Sequence, residues 1–339
     1  MKGEQGLGIR IRGTGIYVPG EPISNDELKR VAGIEFDSAR LEEKIGIRFR
    51  HIARLRKTGE TTADFAERAV RNAAEAAGVP LSEIDLIIVA TDTPEYISPA
   101  TAIVVQGRLQ GGERTTESFD IGASCAGFVT AFDTAARVLA TDPRKRYAAV
   151  VGVYDMPAFT RDDDAFGLSI FADGAGCVIL EKTEGGSRYV GGRFLTDGTQ
   201  WDFIGVYAGG TRKPVTRELL DAGTYGLELV KPLPGNRNVI LWPPVVRGLL
   251  ESNGRKIEEL DHVIFTQINR SVIMEVMKEL GLPAEKTTMV MDRYGYTGSA
   301  CVPMAFHHAV TERKIMRGDL VGFVASGAGL AVGSNLFVY

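Results

Sequence analysis

Cysteine and histidine are scarce in this chain of 339 residues, with three of the first (Cys125, Cys177, Cys301) and four of the second. Three cysteines without C-x-x-C spacing argue against a disulfide framework and form no metal-binding pattern, so no metal is expected. Long apolar runs are missing as well. None approaches the roughly 20 residues of a membrane helix, and the opening "MKGEQGLGIRIRG" has no signal-peptide apolar block, so a cytoplasmic protein without a membrane span is expected. Charge of one sign is not in strong excess. Lys+Arg 39 against Asp+Glu 43 gives a net charge of −4, which argues against nucleic-acid binding and leaves room for a local basic patch facing an acidic partner. There is no G-x-S-x-G elbow and no P-loop, and "GAGLAVG" (Gly327 to Gly333) has the wrong spacing for a dinucleotide fingerprint and precedes a strand.

What is present alternates between strand-like and helix-like stretches, which predicts an α/β fold with helices packed on sheets. Ile9 to Tyr17, Asp85 to Ala90, Ser118 to Ile121 and Tyr147 to Val153 read as strands. Asn25 to Val31, Thr62 to Ala77, Pro99 to Leu109 and Cys125 to Leu139 read as helices, the second of them stopped by Gly78. Cys177 to Glu181 and Arg188 to Leu195 read as a hairpin pair. An internal repeat is more informative. Ala69 to Thr91 aligns without gaps on Val245 to Gln267 at an offset of 176, so that Arg71, Gly78 and Asp85 meet Arg247, Gly254 and Asp261. A second match, at offset 174, lays the segment from Cys125 on the segment from Ser299. Two matches in the same order predict two similar halves, residues 1–180 and 181–339, with the Cys125 and Ser299 helices as partners whose N-termini face one cleft.

A helix N-terminus carries partial positive charge and free N–H groups, so a thiol there is expected to have its pKa lowered from about 8.5. Gly122, Ala123, Ser124 and Ala126 leave space for a ligand to reach the sulfur. Cys125 thus reads either as a nucleophile or as a small filler; Cys177 and Cys301 read as buried structural residues, with a cleft-lining role left open for Cys301. None of the histidines has a claim to be a base.

Six ordered segments, "GTGIYVPGEPISNDEL", "EEKIGIRFRHIA", "DIGASCAGF", "FADGAGCVIL", "DRYGYTGSACVP" and "SGAGLAVGSNLFVY", resemble the thiolase superfamily and, within it, β-ketoacyl-acyl-carrier-protein synthase III. The resemblance covers nearly the whole chain. It implies a thiolase-like αβαβα layered fold, an acyl-thioester formed on Cys125 from an acyl-CoA or acyl-carrier donor, and condensation in fatty acid or polyketide synthesis. It implies oxyanion donors in the backbone N–H groups of Cys125 and Ala328, where the family usually has glycine. It implies a homodimer with acyl-CoA and an acyl carrier protein as partners, and no cofactor beyond the coenzyme A thioester substrate. Gly235 and Asn236 of "LPGN" match a tunnel-lining stretch. Arg270, with Arg237 and Arg247, is a candidate for a phosphate or carrier-protein contact, and Phe36 for the family's missing tunnel-mouth tryptophan.

Two departures stand inside intact motifs. Thr266 of "TQIN" occupies the family's histidine position, and Tyr296 of "GYTGS" its asparagine position. Donors aimed at a developing oxyanion are often worth several kcal/mol each. A threonine hydroxyl is a weaker donor and no base at pH 7, and a tyrosine is a bulkier donor. Three readings therefore stand: a condensing enzyme with a rebuilt oxyanion site (Cys125, Thr266, Tyr296), transfer of the acyl group to another O, N or C nucleophile or to water, and an inactive partner subunit.

Overall fold

The structure is a computed structural model that describes residues 7–184 and 188–339. Nine strands build its two main sheets, and six helices carry the layers around them. The first sheet holds β1 (Ile9–Tyr17), β2 (Ile84–Ala90), β3 (Glu117–Ile121), β4 (Tyr147–Tyr154) and β5 (Gly174–Lys182), in the spatial order β1-β5-β4-β2-β3. The second holds β6 (Tyr189–Gln200), β7 (His262–Phe265), β8 (Leu320–Gly327) and β9 (Gly329–Val338), in the order β7-β8-β9-β6. The helices are α1 (Thr62–Ala77), α2 (Thr101–Gln110), α3 (Gly127–Thr141), α4 (Arg237–Ser252), α5 (Arg270–Leu280) and α6 (Cys301–Thr311).

Side-chain alternation on β2 shows how the layers form. Ile84, Ile87 and Val89 pack with the alanine-rich face of α1 and with α2. Leu86 and Ile88 point the other way, into a core shared with Phe128 and Phe132 of α3, Phe306 of α6, and Phe323 and Phe337 of the second sheet. A strand covered on both faces must be apolar throughout, which is why "DLIIVA" shows no polar alternation. On the far side Leu249 of α4 and Ile273 and Met277 of α5 pack on Val263, Phe265 and Val324. The result is α/β/α/β/α, with α3 and α6 buried between the sheets.

The repeat extends to contacts that few shared letters would suggest. Gly78 and Gly254 both take left-handed φ, 63° and 65°. Asp85 accepts from the N–H of Arg146 at the start of β4, and Asp261 from that of Leu320 at the start of β8, each at 2.8 Å. Arg71 donates to the Arg108 carbonyl in α2, Arg247 to the Glu279 carbonyl in α5. Short 3-10 turns, Ser124–Ala126 and Gly298–Ala300, lead into α3 and α6. The expected hairpin between Cys177–Glu181 and Arg188–Leu195 does not form. β5 already has β1 and β4 as neighbours, so the chain crosses to the second sheet and β6 pairs with β9 there.

The two turns meet closely. The Ser299 hydroxyl lies 2.9 Å from the Ala90 carbonyl and 2.8 Å from that of Val153, plugging the ends of β2 and β4. A β-carbon on Gly152 would stand 2.2 Å from the Ser299 carbonyl oxygen. Gly152→Ala is therefore expected to destabilise the protein by about 1–3 kcal/mol, as overpacking does, read as a lower denaturation midpoint; an unchanged midpoint would refute the contact.

Asp155 and Asp173 form a buried pair beneath the loop that follows β2. Burial is the main cause that lifts both carboxyls, Asp155 to about 7. A group with a raised folded pKa favours folding most below its unfolded value, near 4, and that contribution is lost as pH rises toward 7. Asp155→Asn is expected to flatten the fall in stability between about pH 4 and pH 7, measured by urea titration across that range.

Candidate active site

Cys125 sits where β3 gives way to the 3-10 turn. Its predecessor Ser124 has φ 48°, a left-handed value that costs a non-glycine residue energy and is tolerated where the surroundings enforce it. Gly327, at the end of β8, enforces it: a β-carbon there would lie 2.7 Å from the Cys125 nitrogen. The thiol opens into a cavity of about 700 Å³. Met156, Phe171, Phe203, Ile204, Val206 and Leu227 give its wall an apolar character suited to a hydrocarbon chain. Part of that wall is a small antiparallel pair, Ile204–Val206 with Leu227–Leu229, from the segment between β6 and α4.

The thiol is not activated as expected. Burial pushes its pKa up, and the nearby charge of Asp92 pushes it further; the Tyr296 hydroxyl and the cysteine's own N–H pull the other way but lose. The reason is local. α3 proper begins at Gly127, two residues beyond the cysteine, and its end lies among apolar side chains. Desolvation of a thiolate there outweighs the helix-end dipole.

Tyr296 is buried and its hydroxyl faces the thiol. Its ring packs on Phe171, with centroids 5.7 Å apart, and near Tyr154 at 6.4 Å. Tyr154 fits because Gly298 is bare: a β-carbon there would be 2.4 Å from the Tyr154 ring. Ala328 lines the cavity at the turn between β8 and β9, on the Cys125 side. Gly235 lines it too, but Asn236 does not; Arg237 and Asn238, the first residues of α4, take that place. Thr266 is fully buried, accepts the Ser326 N–H at 3.1 Å and lies outside the cavity lining. Ser326, in turn, donates to Asn238 Oδ1 at 2.9 Å.

Arg270 is exposed at the start of α5 and borders separate depressions with Glu42 and Arg48. Phe36 lies under the Lys29 ammonium and outside the cavity lining. Cys301 is buried, with its sulfur 3.4 Å from the Gln267 N–H. The histidines hold structure: His262 bonds Thr288 and His307 bonds Thr14, each at 2.9 Å, His51 the Gly20 carbonyl and His308 the Tyr294 hydroxyl. The acidic run Asp162 to Asp164 is spent on Arg54, on Arg161 and on capping the helix Ala165–Ile170. No group of metal-binding side chains occurs among the described residues.

Asp92 was not singled out from the sequence. It lines the cavity, and burial lifts its carboxyl to about 6 while the Ser124 hydroxyl and N–H hold it down. The repeat carried the signal. At the same offset (92 + 176 = 268) its counterpart is Ile268, which also lines the cavity, so the position after each of these strands faces the cleft.

A layered thiolase fold with a cysteine in the turn before a buried helix defines a class of acyl-transferring enzymes. Residues 119–198 match the model for 3-oxoacyl-[acyl-carrier-protein] synthase III, and residues 250–339 the model for the C-terminal part of the same synthase. The β-ketoacyl-[acyl-carrier-protein] synthase III of Erythrobacter litoralis is 35% identical over 97% of this chain and 98% of its own. That of Wolbachia pipientis wMel is 32% identical with the same coverage. The 3-oxoacyl-[acyl-carrier-protein] synthase III structure from Aquifex aeolicus superposes with a TM-score of 0.85 at 29% identity, over 98% of this chain and 100% of that one. The priming β-ketosynthase of the R1128 polyketide pathway gives 0.85 at 25%, over 100% and 98%. The chain belongs to the 3-oxoacyl-[acyl-carrier-protein] synthase III family of condensing acyltransferases.

The raised thiol makes a direct expectation. Alkylation of Cys125 by iodoacetamide should keep accelerating from pH 7 to pH 10 without a plateau, followed by peptide mass spectrometry. A plateau below pH 8 would show a thiol already ionised at neutrality.

Proposed function

We propose that this protein is a condensing acyltransferase that takes an acyl group from an acyl-CoA onto Cys125 and delivers it to a second thioester, in fatty acid or polyketide synthesis. The opening of the Cys125 sulfur into a large apolar cavity carries this reading, together with relatives named for the same reaction over nearly their whole length. The backbone N–H groups of Cys125 and Ala328 serve as oxyanion donors during acylation. Tyr296, facing the sulfur, takes over the donor role of the family's asparagine. Thr266 acts indirectly, by holding Ser326 at the cavity wall. Gly235 and Arg237 line the path of the coenzyme arm, with Asn236 and Arg270 outside it as contacts for a carrier protein. The transfer is redox-neutral and needs no cofactor beyond the thioester itself. We read the protein as a cytoplasmic homodimer whose two halves meet near residue 180.

A second reading rests on the same cavity. The carboxylate of Asp92 beside the thiol opposes an anionic malonyl group or enolate, and this favours transfer to a neutral nucleophile without loss of CO2. One experiment separates the two. Incubation with a panel of acyl-CoA thioesters should add an acyl mass to Cys125 and none to Cys125→Ala; no adduct with any donor would refute the acyl-enzyme. Malonyl-carrier protein is then added. Release of CO2 supports condensation, and an acyl-enzyme that persists until a neutral acceptor is supplied supports the second reading. Tyr296→Phe is expected to slow acceptor transfer roughly 100- to 1000-fold, the range for loss of one oxyanion donor.

A further inference from the structure

A thioester that enters the Cys125 cavity, as the acyl-transfer reading requires, meets two neighbouring side chains with donors to spare. Among the described residues that line the cavity, Arg237 is the one cation and Asp92 the one acid. Arg237 is half-buried, and its guanidinium makes no ion pair and no hydrogen bond with the described residues. The carboxylate of Asp197, whose charge reaches it, is bonded instead to Thr199 and Gln200. A cation drawn out of water without a counter-ion is costly, and a ligand of opposite charge relieves that cost.

Asn238 follows Arg237 and lines the same cavity. Its Oδ1 accepts the Ser326 hydroxyl at 2.9 Å, and the Ser326 N–H donates to Thr266 at 3.1 Å. The oxygen end of the carboxamide is thereby fixed, and the Nδ2 end keeps both N–H groups free among the described residues. The same ladder sets the place. Ser326 precedes Gly327, where a β-carbon would stand 2.7 Å from the Cys125 nitrogen. The free donors are therefore tied to the strand end on which Cys125 is seated.

We propose that Arg237 and Asn238 form a carboxylate site, and that a substrate of this enzyme is a thioester whose acyl part ends in a carboxylate. Arg237 supplies the charge and Asn238 a directed donor to the same group. The pantetheine arm is a poor partner for Arg237, because it carries amides and a hydroxyl but no charge. Asp92 repels the carboxylate and so favours its approach to Arg237. The carboxylate has two sources: the acyl group that loads onto Cys125, or the second thioester that receives it.

Pantetheine thioesters test the site, because they lack the phosphates of coenzyme A. Succinyl-pantetheine is compared with isocaproyl-pantetheine, and malonyl-pantetheine with isovaleryl-pantetheine. In each pair an isopropyl group stands in for the carboxylate. Dissociation constants are measured by NMR titration on the full chain carrying Cys125→Ala, so that binding is read without transfer. The carboxylated member of at least one pair should bind more tightly. Adding Arg237→Met should lower that preference on the order of 10- to 100-fold, as for loss of a hydrogen-bonded charge. Arg237→Lys should restore part of it, and Ser326→Ala, which releases the Asn238 carboxamide, should lower it by a smaller factor. Preference in the succinyl pair, with a succinyl adduct on Cys125 of the unmodified protein, makes the loaded acyl group the source. Preference in the malonyl pair alone makes the acceptor the source. An unchanged preference in Arg237→Met overturns the site, even where both members of a pair weaken together, since Arg237 then reads the arm. Binding of the neutral thioesters with no preference for carboxylated ones overturns the site and leaves the acyl-transfer reading standing. If no thioester of either pair binds, both fall.

Discussion

Everything in this molecule depends on two helix N-termini being pressed into the space between two sheets with almost no side chain at the points of contact. Gly327 lies bare against the backbone of Cys125, Gly152 against that of Ser299, and Gly298 against the ring of Tyr154. Main chain meeting main chain at these distances leaves no slack, because protein interiors are packed as densely as organic crystals. Cys125 is held in place by strands of both sheets at once. Its left-handed predecessor Ser124 is kept there by the same approach.

That placement has an electrostatic consequence which shapes the chemistry. A thiol deep between sheets is desolvated, and desolvation disfavours the thiolate more than the end of α3 favours it. Thr266 offers no remedy, because it is turned into a hydrogen bond with the Ser326 backbone. What stands around the sulfur is a set of phenols and one carboxyl, with the rings of Tyr296 and Tyr154 tilted against Phe171.

Much of the architecture was legible because it is written in periodicity and punctuation. Thr62 to Ala77 is a helix between a capping box at Thr61 and the left-handed Gly78, and its bounds agree with the sequence reading. The offset of 176 located β7, and the offset of 174 the turn before α6. Failures came where a partner is chosen by what lies elsewhere in the chain. Cys177 to Glu181 has strand character, but only the occupied edges of β5 decide that β6 must look to the other sheet. The thiol's pKa was misjudged for a similar reason: a helix N-terminus is visible in the letters, and its burial is not. Asp92 was overlooked because a single aspartate after a strand looks like a solvated turn, and only the pairing with Ile268 marks the position as facing the cleft.

The wall of the cavity and its floor have different origins. The floor, with Cys125, Tyr296 and Ala328, is anchored in the central layer. Much of the wall comes from the excursion between β6 and α4, where Trp201 is 57% exposed and the antiparallel pair has only three residue pairs. Changes in that excursion can lengthen, shorten or widen the chamber with little disturbance of the packed glycines beneath it. The shape of the chamber is thus mechanically uncoupled from the seat of Cys125, which leaves the wall free to drift while the sulfur stays where it is.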